Sequence, residues 1–287
     1  MEETLNKELW KKTEQIWLLS DERTEEERES VFSDEQQKNL YQMEADSWWF
    51  QYRANVIINM MMRFFKKDVE TIDVGGGNGY TSSRAQEEGY RCVLLEPSWF
   101  ACKNASERGL ESCCGVLSDL SIIDGSLEQI LLLDVLEHIE KDEEFLRLLY
   151  KKMSDNAKLL VTVPAFMKLW SSEDDYAKHY RRYRRDELIK KMELAGFSVL
   201  YVNYFMQFLY LPILCFRVGL EKMGVIKRHE KRSKEEELRV NEKQFKTQSP
   251  LVRSALRFYE SREEKKLMNN KRIAFGSSII VVLGKNH

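Results

Sequence analysis

The sequence predicts an α/β protein built on a mostly parallel sheet with helices on both faces. One observation is the stretch 69–79, V-E-T-I-D-V-G-G-G-N-G, where β-branched residues form a short buried strand that ends in a glycine-rich turn. Another is the alternation of nearly unbroken apolar runs with helical patterns between residues 91 and 164. Such strands are typical of a parallel sheet that is covered on both sides.

The carboxyl ends of these strands are expected to form one functional rim. Sites in parallel sheets open where the strands end. The residues that follow the predicted strands are Asp73, Glu96, Asp134 and Pro164.

The glycine turn and the acid after the next strand predict a nucleoside-bearing cofactor. Gly75, Gly77 and Gly79 allow a backbone turn beside a ligand, and the Glu96 carboxylate can accept two hydrogen bonds from a ribose diol. A dinucleotide loop would read G-x-G-x-x-G, but the sixth position from Gly75 is Tyr80. The spacing therefore disfavours a nucleotide-dependent oxidoreductase.

Composition indicates a soluble globular protein of the reducing cytoplasm. Of 287 residues, 43% are hydrophobic and 32% are charged. The five cysteines include no C-x-x-C pair, which argues against a disulfide framework or a cysteine zinc site. The first residues lack the pattern of a signal peptide. A net charge of −2 disfavours a nucleic-acid partner.

The helical patterns divide the chain into three parts. Residues 1–55 are expected to form a helical N-terminal cap, because apolar positions recur among Glu, Lys and Gln without a Gly or Pro interruption. Residues 56–205 and 272–287 form the predicted core. Residues 206–271 form a helical insertion before the last strand.

One uncharged stretch, residues 194–216, is long enough to span a membrane. Gly196 instead indicates a helix end that runs into the sixth core strand, and Asn203 and Pro212 weaken a span. Basic residues follow, so residues 205–232 either contact the inner face of a membrane peripherally or cover an acceptor pocket.

Three segments carry a resemblance to a known family. The D-x-G-x-G-x-G loop with its downstream acid resembles motif I of class I S-adenosylmethionine-dependent methyltransferases, and D-V-L-E-H-I at 134–139 resembles their fourth-strand run. Residues 163–183 resemble the V-P-A…L-W-S…D…H-x-R-R-Y insert of a bacterial subgroup of type 11, 12 or 23, which also carries a W-W/F…R element like that at 48–53. The resemblance covers residues 44–205 and the last strand, 273–283. It departs at Lys178, usually glycine, and at Leu127-Glu128, usually F-D.

This resemblance implies a Rossmann-like sheet of seven strands, the last antiparallel, and S-adenosyl-L-methionine as the cofactor, with S-adenosyl-L-homocysteine as the product. The implied cofactor residues are Arg53, Asp73, Gly75, Gly76, Gly77, Gly79, Glu96, Pro97, Asp134 and Val135. The implied acceptor residues are Trp170, Asp174, Tyr180, Arg182 and Tyr183. His179 or His138 is the expected general base for a hydroxyl acceptor.

Alternatives remain at several of these positions. Asp174, His179 and Arg182 can equally form a hydrogen-bonded brace of a lid. Glu137 and His138 can equally form hydrogen bonds with the backbone amides at a helix start. Some quinone-biosynthesis O-methyltransferases with a similar run bind a divalent cation, but two residues do not define a site, and we expect no metal.

The expected acceptor is a small molecule or a lipid- or saccharide-linked one, methylated at oxygen. The rival hypothesis is a non-catalytic protein of the same fold that docks on a membrane or partner through its basic insertion. The sequence carries no signal for an oligomeric state.

Overall fold

The computed structural model describes residues 10–13, 15–19, 34–117, 122–219, 223–224 and 250–285. The strands of this part of the chain join in one sheet of order β1-β2-β5-β4-β3-β6-β7-β9-β8. They are β1 Trp10–Thr13, β2 Ile16–Leu19, β3 Glu70–Val74, β4 Arg91–Glu96, β5 Glu111–Cys114, β6 Leu127–Leu133, β7 Met153–Pro164, β8 Ser198–Phe205 and β9 Ser278–Gly284.

Seven of these strands form the predicted core sheet. β2 to β7 pair in parallel across the middle, whereas β9 lies antiparallel between β7 and β8. The central strands are apolar and buried: Leu94, Leu131 and Leu160 have no exposed surface. The mostly parallel sheet with an antiparallel last strand is therefore confirmed.

Helices surround the sheet. The helices are α1 Asp34–Glu44, α2 Trp48–Phe64, α3 Tyr80–Glu87, α4 Trp99–Glu107, α5 Asp142–Lys152, α6 Ser172–Tyr176, α7 Arg185–Leu194, α8 Gln207–Pro212 and α9 Pro250–Met268. Helix α2 packs on α3 and on α9, α1 packs on α4, and α5 packs on α7.

The expectation of helices throughout the N-terminal cap is wrong for residues 10–19. These residues form the hairpin β1–β2, which extends the sheet beyond β5. Trp10 is buried, and the indole of Trp17 and the ammonium of Lys12 both hydrogen-bond to Glu111 at the edge of β5. Aromatic and branched residues fit this pleated edge, and the sequence between the two strands has no Gly or Pro of the kind that usually marks a hairpin.

The other predicted boundaries are met in part. Helix α2 crosses the predicted boundary at residue 55, because nothing in its sequence breaks a helix there. In the insertion, α8, a π-helix over Ile213–Gly219 and α9 are helical. The cap residues 1–9 and 20–33, and residues 225–249 of the insertion, lie outside the described residues.

Asn203 is a structural residue of β8. Its side-chain oxygen accepts a hydrogen bond from the Ile273 backbone N–H at 2.9 Å, and its amide donates to the Lys271 carbonyl at 2.9 Å.

Within the described residues, every helix is too short or too polar to cross a bilayer. Membrane contact through residues 205–232 stays a prediction.

We predict that the hairpin contributes to stability as part of the sheet. Trp10→Ala should lower the free energy of unfolding by about 3 kcal/mol, because a large buried side chain is removed. The matched control is Lys11→Ala on the exposed face of the same strand, which should change it by less than about 0.5 kcal/mol. Urea unfolding measures both; equal, small effects would show that the hairpin does not pack on the sheet in solution.

Candidate functional site

A cleft of about 510 Å³ opens at the carboxyl ends of β3, β6 and β7. Apolar side chains from α1, α2, α8 and the π-helix form part of its lining: Leu40, Trp48, Trp49, Phe50, Leu209 and Ile213. The lining also includes polar side chains: Arg53, Asp73, Asp134, Glu137, His138, Asp174, His179 and Arg182. The predicted rim of strand ends is thus a concave site.

The glycine turn between β3 and α3 provides a bare stretch of backbone in this cleft. A Cβ at Gly76 would lie 2.3 Å from Asp73 Oδ2 and 2.5 Å from Leu94 Cδ1, so only glycine fits there. At Gly77 the φ angle is +56° and a Cβ would meet nothing within 4 Å, so the backbone borders open space. The turn can therefore approach a ligand closely.

Two buried carboxylates, those of Asp73 and Glu96, lie beside the glycine turn. Asp73 accepts a hydrogen bond from Ser82 Oγ at 2.7 Å, and its other oxygen has no hydrogen-bond partner among the described residues. Glu96 accepts from the backbone N–H groups of Gly77 at 3.2 Å and Ser98 at 3.1 Å. Burial raises the pKa of Asp73 to about 6 and that of Glu96 to about 7, because neither charge is fully compensated.

Arg53 of α2 is a buried cation of the cleft. Its guanidinium forms an ion pair with Asp134, donates a hydrogen bond to Thr162 Oγ1, and lies 5.4 Å from the centre of the Trp49 ring. Its Nη1 atom is buried without a hydrogen-bond partner in the described structure. A ligand carboxylate in the cleft would satisfy this donor.

Asp134 is held in a strained conformation where β6 ends. Its φ is +54°, in the left-handed region that a non-glycine residue seldom adopts, and its N–H donates to the Thr162 carbonyl at 3.0 Å. Val135 beyond it packs against the place where a Gly75 side chain would stand. Strain of this kind persists where the surrounding contacts fix it, often at functional sites.

The segment after β7 forms a hydrogen-bonded brace around Asp174. One carboxylate oxygen accepts from His179 Nδ1 at 2.9 Å and Arg182 Nε at 2.6 Å, and the other accepts from the Ser171 N–H at 2.9 Å. Burial alone would raise the pKa of Asp174, but the bond to His179 and the charge and bond of Arg182 outweigh it, so the pKa is lowered. The ionised carboxylate makes His179 Nδ1 the protonated nitrogen, and Nε2 is left as the basic one.

His138 and Glu137 complete this side of the cleft. The His138 and His179 rings meet edge to face, with centroids 4.7 Å apart. Burial and the neighbouring His179 lower the pKa of His138 to about 4. Burial, followed by the charge of Asp134, raises the pKa of Glu137 well above its usual value.

A family model described as a methyltransferase domain matches residues 49–202, more than half of the chain. The chain belongs to this methyltransferase family. The predicted reaction class, methyl transfer from S-adenosylmethionine, is thereby confirmed at the level of the family. A search of curated proteins gives no significant match.

Solved structures share the fold of the methyltransferase at low sequence identity. Phosphoethanolamine N-methyltransferase 2 of Haemonchus contortus, in complex with S-adenosyl-L-methionine, is 14% identical with a TM-score of 0.53, over 90% of this chain and 58% of that one. A SAM-dependent methyltransferase of Thermotoga maritima is 14% identical with a TM-score of 0.50, over 87% and 99%. The [4+2]-cyclase SpnF is 15% identical with a TM-score of 0.51, over 83% of each chain.

Many of the residues predicted for the methyltransferase site do meet in the cleft. The lining residues among them are Arg53, Asp73, Gly75, Gly76, Gly77, Asp134, His138, Asp174, His179 and Arg182. Gly79, Glu96, Pro97 and Val135 lie outside the lining. Glu96 nevertheless contacts the turn through Gly77, so its role toward a ribose stays a prediction.

Three predicted acceptor residues, Trp170, Tyr180 and Tyr183, lie outside the lining of the cleft, so their contact with an acceptor stays a prediction. Tyr183 has no exposed surface, and its hydroxyl is hydrogen-bonded to Asp142 Oδ2 at 2.9 Å. Trp170 donates to Asp175 Oδ1 at 2.9 Å. Tyr180 is 52% exposed, and only its backbone meets the site, through the Glu137 carbonyl. The motif places these three residues near the cleft in the chain, but their side chains contact other protein groups or solvent.

Sequence reasoning missed part of the cleft. Thr162 is a buried polar residue in an apolar strand, and this pattern could have indicated its hydrogen bond to Arg53. Ser278 lies in the cleft because it pairs with Pro164 across β7 and β9, and this register is not visible in the local sequence. Leu209 and Ile213 also line the cleft, which places the start of the insertion over the pocket.

We predict that cofactor affinity follows the ionisation of Glu96. An ionised carboxylate accepts two hydrogen bonds from a ribose diol better than the protonated acid does, and the pKa of Glu96 is about 7. Affinity for S-adenosylhomocysteine should therefore rise about tenfold between pH 6 and pH 8. Calorimetric titration of Glu96→Gln is the control, and its affinity should be weaker and independent of pH. The same pH dependence in both proteins would exclude Glu96 as the ribose ligand.

Proposed function

We propose that this methyltransferase transfers the methyl group of S-adenosylmethionine to an oxygen atom of a small molecule or of a lipid- or saccharide-linked acceptor. The observation that carries the proposal is the Asp174–His179 hydrogen bond at the cleft wall, which leaves His179 Nε2 as a base in the same cavity as the bare glycine turn. A sulfonium donor and a hydroxyl acceptor need mainly alignment and such a base.

The residues present fit the cofactor. The backbone at Gly77 borders open space, and Arg53 Nη1 is a buried donor without a protein partner among the described residues. The methionine carboxylate would satisfy Arg53, and the ribose would lie toward Glu96. When bound, the cofactor supplies an electrophilic methyl carbon on a positively charged sulfur, which suits a cleft whose buried acids outnumber its cations.

The apolar part of the cleft lining suits an acceptor with an apolar part. Trp48, Leu209 and Ile213 line the same cleft as the imidazoles. Trp48 packs against Phe208 with ring centroids 5.7 Å apart, which fixes this part of the lining. A ring, an acyl chain or a prenyl chain would bury apolar area here and leave a hydroxyl at the polar end of the cleft.

In this scheme the acceptor oxygen loses its proton to the protein and receives the methyl group from the cofactor. His179 Nε2 would take the hydroxyl proton from the acceptor oxygen. The cofactor would supply the methyl carbon to that oxygen and would keep the electron pair of the carbon–sulfur bond on sulfur, as S-adenosylhomocysteine. Asp174 stabilises the imidazolium that forms. His138 is the weaker candidate for this role because its pKa is about 4.

The test is methyl transfer from methyl-labelled S-adenosylmethionine into fractionated extracts, followed by kinetics on the acceptor found. His179→Gln should lower kcat at least about a hundredfold and leave S-adenosylhomocysteine affinity unchanged, because the base is lost but the cofactor contacts are not. The matched control is Asp175→Asn, an exposed neighbour of Asp174 outside the cleft lining, which should keep kcat. Equal kcat for both variants would remove His179 from the chemistry, and label that enters only amine groups would contradict the oxygen acceptor.

A further inference from the structure

Glu137, His138 and His179 bring three metal-ligand atoms together at the polar end of the cleft. One oxygen or nitrogen atom of each lies within 4.8 Å of the others. Glu137 and His138 belong to the 3₁₀ helix Leu136–His138 that follows β6, whereas His179 comes from the segment after α6. All three line the cleft, so an ion among them would face the ligand cavity.

The Glu137 carboxylate lacks the contacts that a buried charge requires. The residue is 1% exposed, and neither carboxylate oxygen has a hydrogen-bond partner in the described part of the chain. His179 Nε2 lies 4.0 Å from Glu137 Oε1, which is too far for a hydrogen bond. Buried carboxylates are normally paired, hydrogen-bonded or bound to a metal ion.

The nearby guanidinium groups are already engaged with other carboxylates. Arg53 forms its ion pair with Asp134, and Arg182 with Asp174. Neither forms an ion pair with Glu137 within the described residues. Glu137 is therefore a buried carboxylate of the cleft without an ion pair to Arg or Lys among the described residues.

Both imidazoles are oriented as ligands usually are. His179 Nδ1 bonds to Asp174, which leaves Nε2 on the side of Glu137. Asp174 is itself fixed by Arg182 and by the Ser171 N–H. The His138 ring hydrogen-bonds to the backbone at Ala177 and Lys178. A carboxylate or carbonyl behind each imidazole is the arrangement that orients metal-bound histidines.

We infer that Glu137, His138 and His179 bind one divalent first-row transition-metal ion, of the class of Mn²⁺, Fe²⁺, Co²⁺ or Zn²⁺. Two imidazole nitrogens and one carboxylate oxygen favour these ions over Mg²⁺ and Ca²⁺, which prefer oxygen ligands. Three protein ligands leave positions open toward the cleft. The separations must close slightly on binding, since ligand atoms on one ion of this class lie about 3 to 4 Å apart.

Ion binding stands by itself, and its use in catalysis rests on the proposed function. A bound cation would make the acceptor hydroxyl more acidic, so coordination would replace His179 as the means of losing the proton. The two uses of His179 exclude each other in one molecule. Metal binding and methyl transfer are therefore measured separately.

The experiment is calorimetric titration of the chelator-treated full chain with Mn²⁺ and with Zn²⁺. We expect one equivalent bound by the wild type and at least tenfold weaker binding by Glu137→Gln and by His138→Gln. Asp174→Asn, which replaces the carboxylate behind His179 by a neutral amide, should weaken binding tenfold to a hundredfold. The matched control Glu140→Gln changes an exposed acid three residues from Glu137 and should bind as the wild type does. S-adenosylhomocysteine binding by each variant verifies its fold.

Two results would overturn the metal site. One is no binding at millimolar ion by protein that still binds S-adenosylhomocysteine. The other is binding that Glu137→Gln and His138→Gln leave unchanged, which would place the ion on other acids. Methyl transfer that persists in chelator without bound ion would refute a catalytic use of the ion and keep the proposed function. An ion bound at these residues in a protein that methylates no acceptor would keep the site and refute the proposed function.

Discussion

The contact between Arg53 and Asp134 is the interaction on which the site depends. A buried guanidinium on α2 bonds to the residue that ends β6 and to Thr162 of β7. This contact fixes the helix across the strand ends and holds Asp134 in a left-handed conformation that would otherwise be unfavourable. Removing one partner of such a pair leaves a charge buried without compensation, which is strongly destabilising. The position of α2 sets that of Trp48 and Trp49, so the same pair also determines the width of the cleft.

The cleft and its supporting residues include buried acids whose ionised forms the protein's own cations do not fully compensate. Asp73, Glu96 and Glu137 all have raised pKa values, chiefly because burial disfavours their ionised forms. A site of this kind binds ligands that bring positive charge or hydrogen-bond donors. The sulfonium of the cofactor, its ribose hydroxyls and the proposed divalent cation would meet these needs at different carboxylates. Burying these carboxyl groups costs folding free energy, which the packing of the sheet behind them offsets.

How far the sequence predicts this structure depends on whether the signal is local. The glycine turn, the strand-end acids and the core strands follow from patterns within a few residues, and they are where the sequence places them. Lys178 stands where the resembling insert has glycine, and its φ of +55° explains that preference. The β1–β2 hairpin was missed because its strands are four residues long and their partner, β5, is about a hundred residues away. The side chains of Tyr180 and Tyr183 were assigned from the motif, but only tertiary packing decides whether they point into the cleft.

The most direct test of the account is a crystal structure of the chain with S-adenosylhomocysteine. The account predicts the amino-acid part along Gly75–Gly77 with its carboxylate at Arg53, the ribose hydroxyls at Glu96, and the sulfur facing the side of the cleft that holds His179. Density for the product elsewhere on the chain, or none at saturating concentration in crystals with an open cleft, would contradict it.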